Sequence, residues 1–197
     1  MPEKGPLGLF GGAFDPPHRG HVALLEAARR QLGLERVLVL VSADPGHKRV
    51  ATPAADRLAL ARAAFPDEPV ELDEHPRTVD LLRAHPEWAD PVFLLGADEF
   101  CDFLEWKEPD EVLRRARLGV ATRPGYPRER LDRVLARLEE PERVLFFELE
   151  PVAVASRELR ALLADGGDPG DAIPAAVLAE IGRRVLYPPP PGRLGSA

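Results

Sequence analysis

The chain has 197 residues, a formal net charge of −7, 45% hydrophobic residues and 30% charged residues. That length suits one domain, and the acidic balance argues against a nucleic-acid-binding surface, which would be basic. No apolar run approaches the roughly 20 residues needed to span a bilayer, so no membrane role is expected; Met1–Lys4 does not open an export signal, and the single cysteine, Cys101, fits a reducing cytoplasm.

The first element is an apolar strand over Leu7–Phe10, followed by G-G-A-F-D-P-P-H-R-G-H from Gly11 to His21. Two glycines let the backbone turn sharply and approach a ligand closely, and Pro16 and Pro17 stiffen the crossing. Helical spacing then begins at His21 and should stop near Gly33. Arg36–Val41 is a continuous apolar strand of the kind buried on both faces of a parallel sheet. Thr52 and Pro53 read as an N-cap and first helical residue, opening a helix to about Phe65. Pro69–Leu72 is a short strand, Thr78–Ala84 a helix, and Pro91–Leu95 a buried strand ending in Gly96-Ala97-Asp98. A helix over Glu99–Leu104 leads to Trp106, and another starts at Pro109-Asp110. Leu118–Ala121 is a strand, Arg123–Pro127 a turn, Arg128–Leu138 a helix, and Val144–Leu149 a strand. Ser156 caps a helix to about Leu163, and Pro174 opens the last one, to about Val185.

This alternation predicts an α/β fold with a doubly wound, mainly parallel sheet and helices on both faces. Residues 1–187 form a single domain on this reading, with a helical part over about 156–187, and 188–197 form a flexible tail. Ligands in such sheets bind at the carboxyl ends of the strands. Gly11, Asp44–Arg49, Gly96–Asp98, Arg123 and Ser156 all follow predicted strands, so they share one rim.

The opening loop is neither a Walker A sequence nor the G-x-G-x-x-G dinucleotide fingerprint. Its strand-to-helix setting is an anion-binding geometry, and His18 and His21 lie three apart on one face of the first helical turn. Two surface histidines, or half of a zinc site without visible third and fourth ligands, are the alternatives. His75 and His85 are given no role and are expected at the surface.

G-G-x-F-D-P followed by His18-Arg19-Gly20-His21 resembles the H-x-G-H nucleotidyltransferase superfamily. The late segment Val154-Ala155-Ser156-Arg157-Glu158-Leu159-Arg160 is similar to its second signature, with Ala155 in place of a serine and Arg157 where threonine often stands. Gly96-Ala97-Asp98, Trp106, Arg123-Pro124-Gly125-Tyr126-Pro127 and His47-Lys48 resemble the nicotinate mononucleotide adenylyltransferases of bacteria within it. The resemblance runs to about Val185 and implies a Rossmann-like sheet.

It also implies a set of site residues. His18, His21 and Arg160 would be catalytic. Gly11, Gly12, Ala13, Phe14, His18, His21, Gly96, Asp98, Ser156, Arg157 and Arg160 would meet ATP. Lys48, Thr78, Asp98, Trp106 and Arg123 would meet the mononucleotide, with Trp106 stacked on the pyridine ring. The family's Ser-Tyr-Thr segment is shortened here to Glu74-His75-Pro76-Arg77-Thr78, which bears on acid against amide selection.

The implied reaction is adenylyl transfer from ATP to nicotinate mononucleotide, a late step of NAD biosynthesis. Mg²⁺ is expected on the ATP phosphates, with no protein ligands to the metal. Nicotinamide mononucleotide, phosphopantetheine or a polyol phosphate as acceptor, and a non-catalytic ATP sensor, are the competing readings. A homo-oligomer is compatible with the sequence.

Overall fold

The computed structural model of the protein describes residues 5–46, 50–150, 152 and 154–188. Of the tail expected at 188–197, residues 189–197 lie outside the described residues, as do the predicted contacts of His47 and Lys48.

Six strands form one sheet: β1 (Leu7–Gly12), β2 (Arg36–Ser42), β3 (Val70–Asp73), β4 (Val92–Gly96), β5 (Arg117–Thr122) and β6 (Val144–Glu148). Every pairing is parallel and the order is β3-β2-β1-β4-β5-β6. The winding therefore reverses between β1 and β4, which opens a crevice at their carboxyl ends.

The helices are α1 (Arg19–Leu32), α2 (Ala54–Ala64), α3 (Thr78–Ala84), α4 (Ala97–Cys101), α5 (Pro109–Arg115), α6 (Arg128–Leu135), α7 (Ser156–Ala164) and α8 (Ala175–Arg184). The strand residues split by parity between two cores. Val37, Val39 and Val41 join Phe10, Ala28, Leu60 and Val177 on the face covered by α1, α2 and α8. Leu38 and Leu40 join Leu9, Val79, Phe100 and Leu113 on the opposite face. The apolar run of β2 is thus buried on both sides, as its composition predicts. Each such Val or Leu contributes about 1.5–3 kcal/mol relative to exposure.

Several boundaries differ from the sequence reading. Thr52 is not the N-cap of α2; Pro53 occupies that place with no side-chain cap, and the helix starts at Ala54. The Thr52 hydroxyl donates instead to the buried carboxylate of Asp15, a charge-assisted bond that orients the side chain toward the loop. The helix expected over Glu99–Leu104 begins at Ala97, directly off β4, and breaks into a separate 3₁₀ turn at Phe103–Glu105. The helix expected to reach Leu138 stops at Leu135. Ser156 is the first residue of α7 rather than its cap, which is Ala155.

Arg57 of α2 ties these layers together. It is 1% exposed, and its guanidinium donates to the carbonyls of Thr52 (3.2 Å), Ala13 (2.9 Å), Ser42 (2.7 Å) and Ala43 (2.9 Å). One side chain thereby satisfies carbonyls at the ends of both β1 and β2. Burial lowers its pKa from the usual arginine value, and the neighbouring Asp15 carboxylate opposes that shift. Arg57→Met keeps the apolar stem but strands those carbonyls and the buried carboxylate. Urea unfolding should show a loss of about 3–5 kcal/mol.

Candidate active site

The loop from Gly12 to His18 is shaped by its own side chains. A Cβ on Gly12 would lie 2.8 Å from Cζ of Phe14, so glycine here admits an aromatic ring from the same loop. Phe14 has φ of 50° and is 1% exposed. Its ring meets Phe10, His21 and Phe65 edge-on at centroid distances of 5.4, 5.2 and 5.7 Å. The Phe14 side chain therefore belongs to the core, and only its backbone could meet a nucleotide.

His18 is the N-cap of α1. Its Nδ1 accepts from the Gly20 N–H at 3.2 Å, and Nδ1 of His21 accepts from the His18 N–H at 3.2 Å. This is a capping box made with two imidazoles. Gly20 permits it, since a Cβ there would sit 3.0 Å from His18 Nδ1. The two rings lie 3.8 Å apart, tilted by 32°. A nitrogen that accepts an N–H carries no proton, so each neutral ring keeps its proton on Nε2. Burial pushes His18 down to about 4, so at neutral pH it is an uncharged Nε2–H donor.

The same loop is clamped from the rest of the chain. Ser156 Oγ donates to the Pro16 carbonyl at 2.9 Å. Arg160 Nη1 donates to the Asp15 carbonyl and lies 3.6 Å from Asp15 Oδ2. These contacts bring the start of α7 to the histidine pair across 140 and 145 residues of sequence. Arg157, the other predicted cation, is exposed on the first turn of α7. The Asp15 carboxylate also accepts from the Ala51 N–H, the Thr52 hydroxyl and, at 2.8 Å, the Tyr187 hydroxyl.

Two cavities flank the carboxyl end of β4. The larger, about 430 Å³, is lined by Gly11, Gly12, Ala13, Thr78 and Trp106 among others. The Trp106 ring is held edge-on by Phe93 at 6.0 Å and Phe103 at 5.3 Å. The smaller, about 200 Å³, is lined by Gly96, Asp98, Thr122, Arg123 and Tyr126. Asp98 Oδ1 accepts the Tyr126 hydroxyl at 2.9 Å, while 75% of its side chain stays exposed. Arg123 and Asp98 are thus grouped with Gly96 and not with Trp106, which divides the predicted mononucleotide set between two cavities.

Sequence reasoning missed three contributors, His75, Arg57 and Tyr187. His75, expected at the surface without a role, lines the larger cavity and is fixed through Nδ1 to Asp73 at 2.8 Å. His85 stacks on Trp88 at 4.0 Å. Arg57 and Tyr187 reach the loop only through tertiary contacts, which no local sequence pattern marks.

Among the described residues no group of three or more His, Cys, Asp or Glu could hold a metal ion, and no helix is long and apolar enough to cross a membrane.

The depressed His18 pKa makes stability pH-dependent. Below its unfolded value near 6.5 the unfolded chain takes up a proton that the folded protein refuses until about 4. Its contribution is complete above 6.5 and is lost as pH falls toward 4, by on the order of 3 kcal/mol. His18→Asn keeps an acceptor for Gly20 but cannot titrate. Urea unfolding at pH 7 and pH 4 should show a loss smaller by that amount in the variant.

Comparison with known proteins follows the same lines. A family model described as cytidylyltransferase-like matches residues 9–161. A probable nicotinate-nucleotide adenylyltransferase of Rubrobacter xylanophilus is 35% identical over 195 residues, spanning 92% of this chain and 91% of the relative. A protein of that name from Thermomicrobium roseum is 36% identical with the same coverage. The Plasmodium falciparum nicotinic acid mononucleotide adenylyltransferase complexed with NaAD has a TM-score of 0.71 at 18% identity, covering 92% of this chain and 96% of its own; at that identity the likeness is one of fold. The chain belongs to the nicotinate-nucleotide adenylyltransferase family, within the cytidylyltransferase-like proteins.

Proposed function

We propose that the protein transfers the adenylyl group of ATP to nicotinate mononucleotide, giving nicotinate adenine dinucleotide and pyrophosphate. The observation that carries this reading is the histidine pair: two imidazoles just beyond the carboxyl end of β1, both held at Nδ1 by backbone N–H groups, which puts the ring proton on Nε2.

The nucleophile is a phosphate oxygen of the mononucleotide, already ionised near neutral pH because its second pKa is about 6. No general base is required. The oxygen attacks the α-phosphorus of ATP in line, a new P–O bond forms, and the bond to the β-phosphate oxygen breaks as pyrophosphate leaves. What remains is to hold two anions together and to stabilise charge on the transferring group. A buried neutral His18 suits that task, since it donates a hydrogen bond without a reorganising counter-charge. His21, Arg160 and the start of α7 supply the remaining donors on this reading, with Ser156 holding the loop.

The larger cavity is the proposed site of the pyridine ring, with Trp106 as platform and Thr78 and His75 at its wall. The smaller is the proposed site of a ribose, which Asp98 would meet. Arg123, placed there too, is assigned to nucleotide binding at that side. Mg²⁺ is proposed to arrive with ATP, where it would neutralise phosphate charge. The lone Cys101 keeps a reducing cytoplasm as the proposed setting.

Pyrophosphate release from ATP tests the acceptor directly, with nicotinate mononucleotide, nicotinamide mononucleotide, phosphopantetheine and glycerol phosphate side by side. The nicotinate form should give the highest kcat/KM; no turnover with it overturns the reading. His21→Ala should lower kcat by roughly 10²–10³-fold, the usual effect of removing one transition-state donor. Trp106→Ala should raise KM for the mononucleotide by about tenfold, as expected for losing a ring stack, and leave KM for ATP nearly unchanged.

A further inference from the structure

Tyr187 stands just beyond α8, yet it is only 8% exposed. Its hydroxyl donates to Asp15 Oδ1 at 2.8 Å, across 172 residues. The Thr52 hydroxyl donates to the same oxygen, the Ala51 N–H to Oδ2, and Arg160 Nη1 lies 3.6 Å from Oδ2. Asp15 itself is 2% exposed. Arg57 stands close enough to feel its charge, but the guanidinium is held by four carbonyls.

A carboxylate offers about four acceptor sites, and a buried one must fill them. Three neutral donors fill three of them here, and Arg160 Nη1 stays at the long end of an ion pair, 3.6 Å from Oδ2. Remove one, and Arg160, already on the Asp15 carbonyl, is the cation best placed to make up the deficit. It would close on Asp15 and withdraw from the phosphates. We propose that Tyr187 is a positioning residue of the nucleotidyl-transfer centre: by occupying Asp15 Oδ1 it keeps Arg160 from collapsing into a tight ion pair and so available to the triphosphate of ATP. Burial and the adjacent Asp15 raise the Tyr187 pKa above its ordinary value, which keeps the hydroxyl a donor. This role rests on the assignment of Arg160 to ATP made above.

A double-mutant cycle on the full chain tests it, with ATP binding measured by calorimetry in the absence of any acceptor. Tyr187→Phe removes one oxygen. It should weaken ATP binding by about fivefold or more, and by less than half that factor when Arg160 is already alanine, because coupled residues give non-additive effects. A smaller effect in the wild-type background, or one retained in full beside Arg160→Ala, overturns the proposal. Should Tyr187→Phe not fold, Thr52→Val removes the other hydroxyl from the same oxygen and must show the same pattern. Because no acceptor is present, the result does not depend on which mononucleotide is used. A non-additive cycle in a protein that releases no pyrophosphate with nicotinate mononucleotide would discard the acceptor and keep Tyr187's role.

Discussion

The loop that carries His18 and His21 is held by two buried groups of opposite charge, Asp15 and Arg57, exposed by 2% and 1%. Isolated, either would be costly to bury. Here Arg57 is surrounded by backbone carbonyls, and Asp15 by a backbone N–H, two hydroxyls and Arg160. Arg57 gathers the carbonyls where β1 and β2 end, and Asp15 gathers donors from the loop before α2 and from beyond α8. Thr52 joins the two, giving its carbonyl to Arg57 and its hydroxyl to Asp15. The loop is thus fixed by satisfying charges and not by apolar packing alone.

Where that loop sits follows from the sheet. With the order β3-β2-β1-β4-β5-β6, the chain leaves β1 and β4 toward opposite faces, the arrangement that opens a crevice at their carboxyl ends. Two cavities open on either side of the β4 end, one walled by Trp106 and one by Asp98 and Arg123. The histidine pair lies on the helix that follows β1. Phosphate chemistry between two ligands therefore has a natural place, with a cavity on either side to take the groups the phosphates connect.

The four central strands, β2, β1, β4 and β5, were legible because each is an apolar run, and a doubly buried strand leaves that pattern whatever it packs against. The histidine pair was legible because G-G-x-F-D-P and H-x-G-H are local and contiguous. Helix starts were less so. Thr52 and Ser156 have the chemistry of N-caps, but both hydroxyls serve the loop at Asp15 and Pro16 instead. A side chain is oriented by partners far away in the chain as well as near ones, and sequence shows only the near ones. The helix after β4 differs because it starts at Ala97 directly off the strand and gives way to a 3₁₀ turn at Phe103–Glu105.

By itself the sequence determined the alternation of strands and helices, the parallel sheet and the identity of the residues on its rim, since these depend on local pattern. Only the tertiary structure decided which nitrogen of each histidine is occupied, that Phe14 turns into the core, and that Asp98 and Arg123 stand apart from Trp106. It alone connected Tyr187 to Asp15. Those outcomes depend on contacts between residues far apart in the chain, where partner choice is set by burial and by competition for a charged acceptor.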